Sequence, residues 1–219
     1  MTEQRKNGRK SRWGFPVNSH CSKVPDFLKK QECTYFISIP FKNEHLKRSF
    51  NVFREDLIQN YQEYRVNADI IQKTEKLHKT ILNLNLGDDT STDHAKDVLE
   101  GEKEALRKIL NDAEGKHVTM RGVKKPGNLR RVNRLSANVL SEVIPKITVH
   151  LTTAFAKAGL KMSSQTPNLH QIVVMNENLL IPENWQNIDY TFNPKPVLKK
   201  YGDYEFGSFD VEEIHLSRR

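Results

Sequence analysis

Within residues 33–219, four histidines are each followed two positions later by a hydroxyl residue. The pairs are His78 with Thr80, His117 with Thr119, His150 with Thr152, and His215 with Ser217. In a β-strand, residues i and i+2 point to the same face, so each pair would present an imidazole beside a hydroxyl. An imidazole can give or take a proton near neutral pH, and a hydroxyl can donate to a phosphate oxygen. Two such strands facing each other would supply an acid, a base and two phosphate donors without a metal.

The surrounding sequence favours the pair formed by His78 and Thr80. It lies in an apolar run from Leu77 to Leu84 that is typical of a strand. His150 falls within an apolar stripe of helical spacing, where residues i and i+2 point apart, so we interpret that pair as accidental. His117 and His215 lie in candidate strands, but spacing alone assigns them no partner.

The sequence lacks the motifs of most other classes of catalytic or binding site. The sequence contains no GxGxxG, no P-loop, no HExxH and no GxSxG, and its acidic residues show no metal-ligand spacing. Cys21 and Cys33 match no zinc pattern and are interpreted as free thiols of a reducing compartment, the cytosol or the nucleus. We therefore expect no metal and no cofactor.

Hydropathy excludes membrane proteins. No apolar run approaches the ~20 residues that a membrane-spanning helix needs. The N-terminal residues are polar and basic with no apolar segment behind them, so no secretory signal is expected. The chain is therefore expected to have no membrane partner.

The positive charge of the chain is concentrated in two segments. The formal net charge is +8, but residues 1–30 carry +6, residues 121–134 carry another +6, and the remainder is negative. This distribution excludes a uniformly cationic, histone-like protein. Residues 1–32 have too few apolar side chains to offset the entropy of ordering, so they are expected to form a disordered basic tail. Two interpretations of this tail stay open. Its basic cluster is a nuclear-import signal or a nucleic-acid contact, or the tail is only a solvated segment.

The apolar spacing predicts alternating strands and helices in residues 33–219. Strands are predicted at 34–39, 77–84, 117–122, 131–137, 168–175 and 211–217, and helices at 44–61, 98–110 and 143–158. A loop-rich stretch is predicted between the last two strands. This order favours an α+β or α/β domain with no internal repeat.

Several of these segments together resemble a known family. They are TYFISIP at 34–40, LHKTIL at 77–82, LHQIVVMN at 169–176, FGSF at 206–209 and EIHLS at 213–217. In this order they resemble the phosphoesterase-like domain of the activating signal cointegrator complex subunit one family. That domain is related to the nuclear-localised domain of an A-kinase anchoring protein and to the two-histidine (2H) phosphoesterases. The resemblance runs from Cys33 to Ser217.

The resemblance implies an α+β, bilobal 2H phosphoesterase-like fold. Its two pseudo-symmetric lobes have central antiparallel sheets flanked by helices, with a cleft between them. Each lobe supplies one His-x-Thr/Ser motif, and the two histidines act as base and acid on RNA phosphodiesters such as 2′-5′ linkages or 2′,3′-cyclic ends. By position, His78 with Thr80 matches the first motif and His170 matches the second.

The sequence departs from the family pattern at two places. Ile172 stands where the second motif has its hydroxyl, and losing one such donor costs on the order of 3 kcal/mol, or ~10²-fold in rate. Relatives usually carry an RNA-binding KH domain ahead of this one, whereas the tail here is too short for one and has no GXXG loop. Whether the chain is an enzyme is therefore left open by its sequence.

Two further groups of residues have alternative interpretations. The basic run of Lys124, Lys125, Arg130, Arg131 and Arg134 is either an electrostatic rim that guides a polyanion to the cleft or a solvated loop. The aromatic residues Tyr201, Tyr204 and Phe206 either stack on a base or fill the core, and we favour the core.

Two functional hypotheses follow. The first is a nuclear RNA-binding 2H phosphoesterase-like protein, with metal-independent phosphodiesterase activity weakened at the second motif. The alternative is a non-catalytic subunit or adaptor of an activating signal cointegrator-type complex, with helicase or coactivator partners, in transcription and DNA alkylation repair. Nuclear localisation is expected, with a cytoplasmic fraction left open.

Overall fold

Residues 34–112, 117–126, 132–177 and 191–219 are described by the computed structural model of the chain. The strands in these ranges are β1 (Tyr35–Pro40), β2 (His78–Leu84), β3 (His117–Lys124), β4 (Arg134–Leu140), β5 (Gln171–Asn176), β6 (Glu205–Asp210) and β7 (His215–Arg218). The α-helices are α1 (Glu44–Asn60), α2 (Asp89–Gly101), α3 (Lys103–Asp112), α4 (Val143–Lys157) and α5 (Lys195–Tyr201). All of these residues belong to one unit of the chain, Glu32–Arg219.

The smaller sheet has the strand order β2-β1-β7, and both of its pairings are antiparallel. Ile37 and Ile39 of β1 are buried, as the alternating apolar pattern predicts. A bulge interrupts the pairing of β1 with β2, because Ile37 pairs with Leu82 whereas Ser38 pairs with Thr80. The bulge decides which residues of β2 share a face.

The larger sheet has the strand order β5-β4-β3-β6, and all of its pairings are antiparallel. One face of this sheet is apolar and buried. Its members include Val118 and Met120 of β3, Ala137 and Val139 of β4, and Ile172 of β5. The opposite face of β3 and β4 carries mainly polar side chains.

Helices cover the buried faces of both sheets. The four buried residues of α1, Leu46, Phe50, Phe53 and Leu57, recur at helical spacing, and this helix packs against β6. The N-terminus of α1 is capped by Asn43, whose side chain accepts from the backbone of Leu46. Helix α4 packs against β2 and buries Ile147, Leu151 and Phe155.

The buried faces of the two sheets contribute to one hydrophobic core. Phe41, directly after β1, contacts Phe209 of β6, with 4.5 Å between their ring centroids. The predicted α+β class, with two antiparallel sheets flanked by helices, is confirmed. Because the core lies on one side of each sheet, the polar faces of both sheets lie on the side away from it.

The structure differs from the sequence prediction in the helix after β2 and in the region near the C-terminus. The sequence predicts one helix at 98–110, whereas the structure has two helices, α2 and α3, in this region. Glu102 separates them because its backbone leaves helical geometry (φ −85°, ψ 0°). The stretch predicted to be rich in loops contains α5 and β6. Tyr201 and Phe206 there are buried, which confirms that they belong to the core.

Strand boundaries also differ from the prediction. β4, β5 and β7 begin three to four residues later than the apolar pattern suggests, at Arg134, Gln171 and His215. None of the described helices is long and apolar enough to cross a membrane. The predicted tail and both cysteines lie outside the described residues, so the domain boundary at residue 33 stays a prediction.

Candidate functional site

Strand β2 places His78 and Thr80 on one face of the smaller sheet. Both side chains are half-buried, whereas Lys79 between them is only 3% exposed and points to the opposite, buried face. Thr80 pairs with Ser38 of β1, and His78 pairs with Pro40. The local geometry that the His-x-Thr motif requires is therefore present.

The imidazole of His78 is held by one hydrogen bond and one ring contact. Its Nδ1 lies 2.7 Å from the carbonyl oxygen of Lys76, which can only accept, so Nδ1 carries the proton. Its ring stacks on Phe36 at 5.0 Å between centroids and an interplanar angle of 25°. Burial lowers the pKa of His78, the Lys76 carbonyl partly opposes this, and the charge of Lys79 lowers the pKa further. The result is a neutral ring with Nε2 free to accept a proton.

The last strand adds a second histidine and hydroxyl to this face. His215 of β7 pairs with Ser38, and Ser217 pairs with Phe36. Ser38 also pairs with Thr80, so Thr80, Ser38 and His215 form one row across the three strands. Spacing along the sequence does not predict this row, because it depends on the order of the strands in the sheet.

Lys79 connects the buried side of β2 to the start of β5. Its ammonium donates to the carbonyl oxygen of Gln171 at 2.8 Å and to that of Asn168. Burial lowers the pKa of Lys79 to about 8. A buried ammonium is rarely tolerated without such acceptors. The lysine therefore holds the first-motif strand against the segment that contains His170.

His170 lies in the turn that precedes β5. Its N–H donates to the Asn168 side chain at 3.0 Å, its carbonyl accepts from Val139 at 2.8 Å, and the residue is exposed. The structure brings its backbone near Lys79, whose neighbour in the sequence is His78. No contact between the His78 and His170 side chains is seen, and the catalytic role of His170 stays a prediction.

Ile172 lies on the buried face of β5. It pairs with Ala137 and is 6% exposed, whereas Gln171 pairs with Asn138 and Val173 with Ser136 on the opposite face. The resemblance assigns Ile172 to the position of the second hydroxyl. In this register the residues of β5 on the polar face are Gln171, Val173 and, past the bulge, Asn176, and none of them carries a titratable group or a hydroxyl.

The structure groups part of the predicted basic rim on one face of the larger sheet. Lys124 pairs with Ser136, two residues from Arg134, so the two cations share a face, and Lys125 follows in an exposed position. Arg130 and Arg131 lie outside the described residues. The bulge at Gly122 brings Arg121 onto the same face as Lys124, although three positions separate them. In a regular strand, residues three positions apart point to opposite faces, so the sequence alone does not predict that Arg121 joins this group.

The remaining His-x-hydroxyl pairs have partners of their own. His117 contacts the carboxylate of Asp210 at 2.5 Å, and Thr119 contacts Ser208 at 2.7 Å on the larger sheet. His150 lies in α4, as its spacing predicts, and contacts Glu102 at 2.5 Å. Among the described residues, no three His, Cys, Asp or Glu side chains are grouped to hold a metal ion.

Two antiparallel sheets, with a His-x-Thr pair on the open face of one, define a 2H phosphoesterase-like domain. The sequence profile described as "AKAP7 2'5' RNA ligase-like domain" matches residues 33–219, and the chain belongs to this family. A mouse relative, activating signal cointegrator 1 complex subunit 1, is 24% identical over 214 residues, covering 88% of this chain. The match spans 60% of that relative's length.

Two solved structures share the fold. The ns2 PDE domain of MHV superposes with a TM-score of 0.52 at 13% identity, over 86% of this chain and 99% of that domain. TT0787 of Thermus thermophilus gives a TM-score of 0.51 at 13% identity, over 84% of this chain and 86% of that one. At this identity the likeness shows the fold and not the activity.

Proposed function

We propose that this protein binds RNA phosphodiesters on the open face of the smaller sheet, in the nucleus. The observation that carries the proposal is the common face of His78 and Thr80. There the free Nε2 of His78 can accept a proton from a ribose hydroxyl, and Thr80 can donate to a non-bridging phosphate oxygen. His170 would supply the second imidazole from the start of β5, and no metal takes part.

The basic residues of the larger sheet would guide the strand of RNA to this face. Lys124, Lys125 and Arg134, together with Arg121, form a cationic surface on the side of the sheet away from the core. Arg130 and Arg131 lie outside the described residues, and their part in this surface stays a prediction. A cationic groove raises the local concentration of a polyanion and makes its binding depend on salt.

Catalysis at this site would be weak and independent of metal. A 2H phosphoesterase needs a base, an acid and two phosphate donors, and the polar face of β5 carries no hydroxyl residue. Loss of one preorganised donor costs ~10²-fold in rate. We therefore assign RNA binding as the primary activity, with slow cleavage of 2′-5′ or cyclic phosphodiesters as its residual chemistry.

The second candidate function is that of a non-catalytic adaptor. It is favoured by Ile172, which fills the core instead of facing the polar side of β5. It is also supported by the mouse relative, which is named as a subunit of the activating signal cointegrator 1 complex. Its partners would then be helicase or coactivator subunits of such a complex, in transcription regulation and DNA alkylation repair.

Turnover in EDTA separates the two functions. The purified chain is incubated with 2′-5′-linked and 2′,3′-cyclic-phosphate oligonucleotides, beside His78→Ala and His170→Ala. His94→Ala is the control, because His94 is an exposed residue of α2 whose ring lies 3.2 Å from the Ala158 carbonyl oxygen, away from the smaller sheet's strands in the sequence.

Slow turnover that is lost in His78→Ala and His170→Ala but kept in His94→Ala supports the phosphodiesterase. RNA binding without turnover, weakened in His78→Ala, supports a binding protein. A chain that neither binds nor cleaves any of these oligonucleotides contradicts the RNA proposal and favours the adaptor.

A further inference from the structure

Strand β7 forms one edge of the smaller sheet, where it pairs with β1 on one side only. The backbone N–H of Arg219 donates to the carbonyl oxygen of Thr34 at 3.0 Å, directly across from it. Because hydrogen bonds alternate along an antiparallel pair, the backbone N–H and C=O groups of Leu216 and Arg218 point away from β1. Within the part of the chain that the structure describes, no hydrogen bond reaches these outward groups. Such an edge is a template for one more strand.

The charges around β7 are sorted by sign along the chain. Glu212 and Glu213 precede the strand, Arg218 and Arg219 lie at its other end, and all four side chains are exposed. In an antiparallel pair of two β7 strands centred on His215, Glu212 of each copy lies opposite Arg218 of the other. In a parallel pair, like charges would lie side by side. The charge pattern therefore fits a second copy of the same strand in the antiparallel direction.

This register is the one that the backbone allows and that also joins apolar side chains. It sets Ile214 of one copy beside Leu216 of the other, and both side chains are half-buried against the core of their own copy. Beside Ile214 lies a groove that is lined by Leu106 and Leu110 of α3 and by Val211. Leu216 of the second copy would cover this groove, so pairing would remove apolar surface of both copies from water.

Charges on a sheet edge often serve only to keep other strands away. That role needs like charges to meet when the edge pairs with a copy of itself. Here the two ends of β7 carry opposite signs, so antiparallel pairing brings unlike charges together at both ends. The charges of β7 therefore select a partner strand rather than exclude all strands.

We propose that two copies of this chain pair their β7 strands antiparallel, about a twofold axis at His215, and form one continuous six-stranded sheet. The twofold axis of such a pair is perpendicular to the sheet, so the open faces that carry His78 and Thr80 lie on the same side in both copies. The strand has only 4 residues, and the contact is correspondingly small. We expect a dissociation constant on the order of 10–100 μM.

Sedimentation equilibrium of the full chain, with two charge-reversed variants, tests this pairing. The variants are Glu212→Lys with Glu213→Lys, and Arg218→Glu with Arg219→Glu. Each variant alone sets like charges opposite one another and should weaken association about tenfold or more. Mixed in equal amounts, the two variants again set opposite charges at both ends and should associate about as tightly as wild type. This rescue also shows that both variants are folded.

The matched control is Lys146→Glu with Lys157→Glu, which makes the same change in net charge as the arginine variant. Both lysines are exposed on α4, which packs against β2 at the opposite edge of the smaller sheet. The control should dimerise like wild type.

The proposal is overturned if wild type stays monomeric up to about 200 μM. It is also overturned if wild type dimerises but the mixture of the two variants associates no better than either variant alone, because the contact then lies elsewhere. Neither outcome depends on whether the chain binds RNA.

Discussion

The ammonium of Lys79 donates a hydrogen bond of 2.8 Å to the carbonyl oxygen of Gln171, so the first-motif strand is tied to the first residue of β5. The lysine stands between His78 and Thr80 in the sequence but points to the opposite, buried face of β2. The open face of the strand carries the candidate chemistry. Its buried face, through the hydrogen bond of Lys79, fixes the start of β5 relative to His78 and Thr80.

Lys79 is expected to make stability depend on alkaline pH. Burial lowers its pKa from 10.5 to about 8, so between these values the unfolded chain binds more protons than the folded one. The free energy of unfolding should therefore rise with pH across this range. Urea denaturation at pH 7.5 to 10.5 should show the rise in wild type and in the exposed control Lys108→Met. The same rise in Lys79→Met would contradict the assignment.

His78 is expected to titrate below its ordinary pKa because of burial beside Phe36. NMR titration of the imidazole should give a midpoint below 6.5, and Phe36→Ala, which exposes the ring, should move that midpoint upward. The lowered pKa means that the stability contributed by neutral His78 is present above 6.5 and is lost as pH falls. A midpoint unchanged by Phe36→Ala would contradict burial as the cause.

Gly122 is expected to be essential to the bulge that groups the cations. It adopts φ +64°, and a Cβ there would lie 2.5 Å from the carbonyl oxygen of Gly202. Gly122→Ala should destabilise the fold by about 2 kcal/mol or more, from the left-handed backbone and the clash. Gly87→Ala, where a Cβ meets nothing within 4 Å, is the control and should be close to neutral in thermal unfolding. Equal stabilities of the two variants would contradict this account.

The positions that would restore a second motif are Gln171 and Val173. Ile172→Thr should bury a hydroxyl, lower stability by about 1–3 kcal/mol and leave turnover unchanged. The double variant Gln171→His with Val173→Thr should raise metal-independent turnover of a 2′-5′-linked oligonucleotide. Higher turnover in Ile172→Thr than in the double variant would show that Ile172 itself faces the substrate.

The cationic face is expected to act through phosphate contacts. Lys124→Gln and Arg134→Gln should each weaken binding of single-stranded RNA and reduce the slope of log Kd against log salt by ~0.7. The control Lys108→Gln removes an exposed charge from α3 and should leave the slope unchanged. Slopes equal to wild type in all three variants would assign these residues to the solvated surface.

The sequence predicts much of this fold because its strong periodicities are local. The shared face of His78 and Thr80 follows from period-two alternation, and the stripe of α1 follows from helical spacing. The convergence of Thr80 and His215 on Ser38 is not predictable in this way, since 135 positions separate them and only the strand order joins them.

A bulge accounts for one difference at the larger sheet. One extra residue reverses the alternation, so Arg121 joins the face of Lys124. The His-x-Thr pattern places His170 and Ile172 on one face of a strand. In the structure β5 begins only at Gln171, and its register puts Gln171 and Val173 on the polar face and Ile172 on the buried one. The short α5 and β6 are not evident from periodicity, because each of them buries only two or three residues.

The central claim, that the open face of the smaller sheet binds RNA through phosphate, depends most directly on the hydroxyl of Thr80. Thr80→Val keeps the shape of the side chain and removes only this donor. Thr153→Val, on the exposed surface of α4, is the matched control. By fluorescence anisotropy with a single-stranded RNA octamer, we predict that Thr80→Val binds about tenfold more weakly than wild type and the control. Equal affinity of Thr80→Val and wild type would contradict the claim.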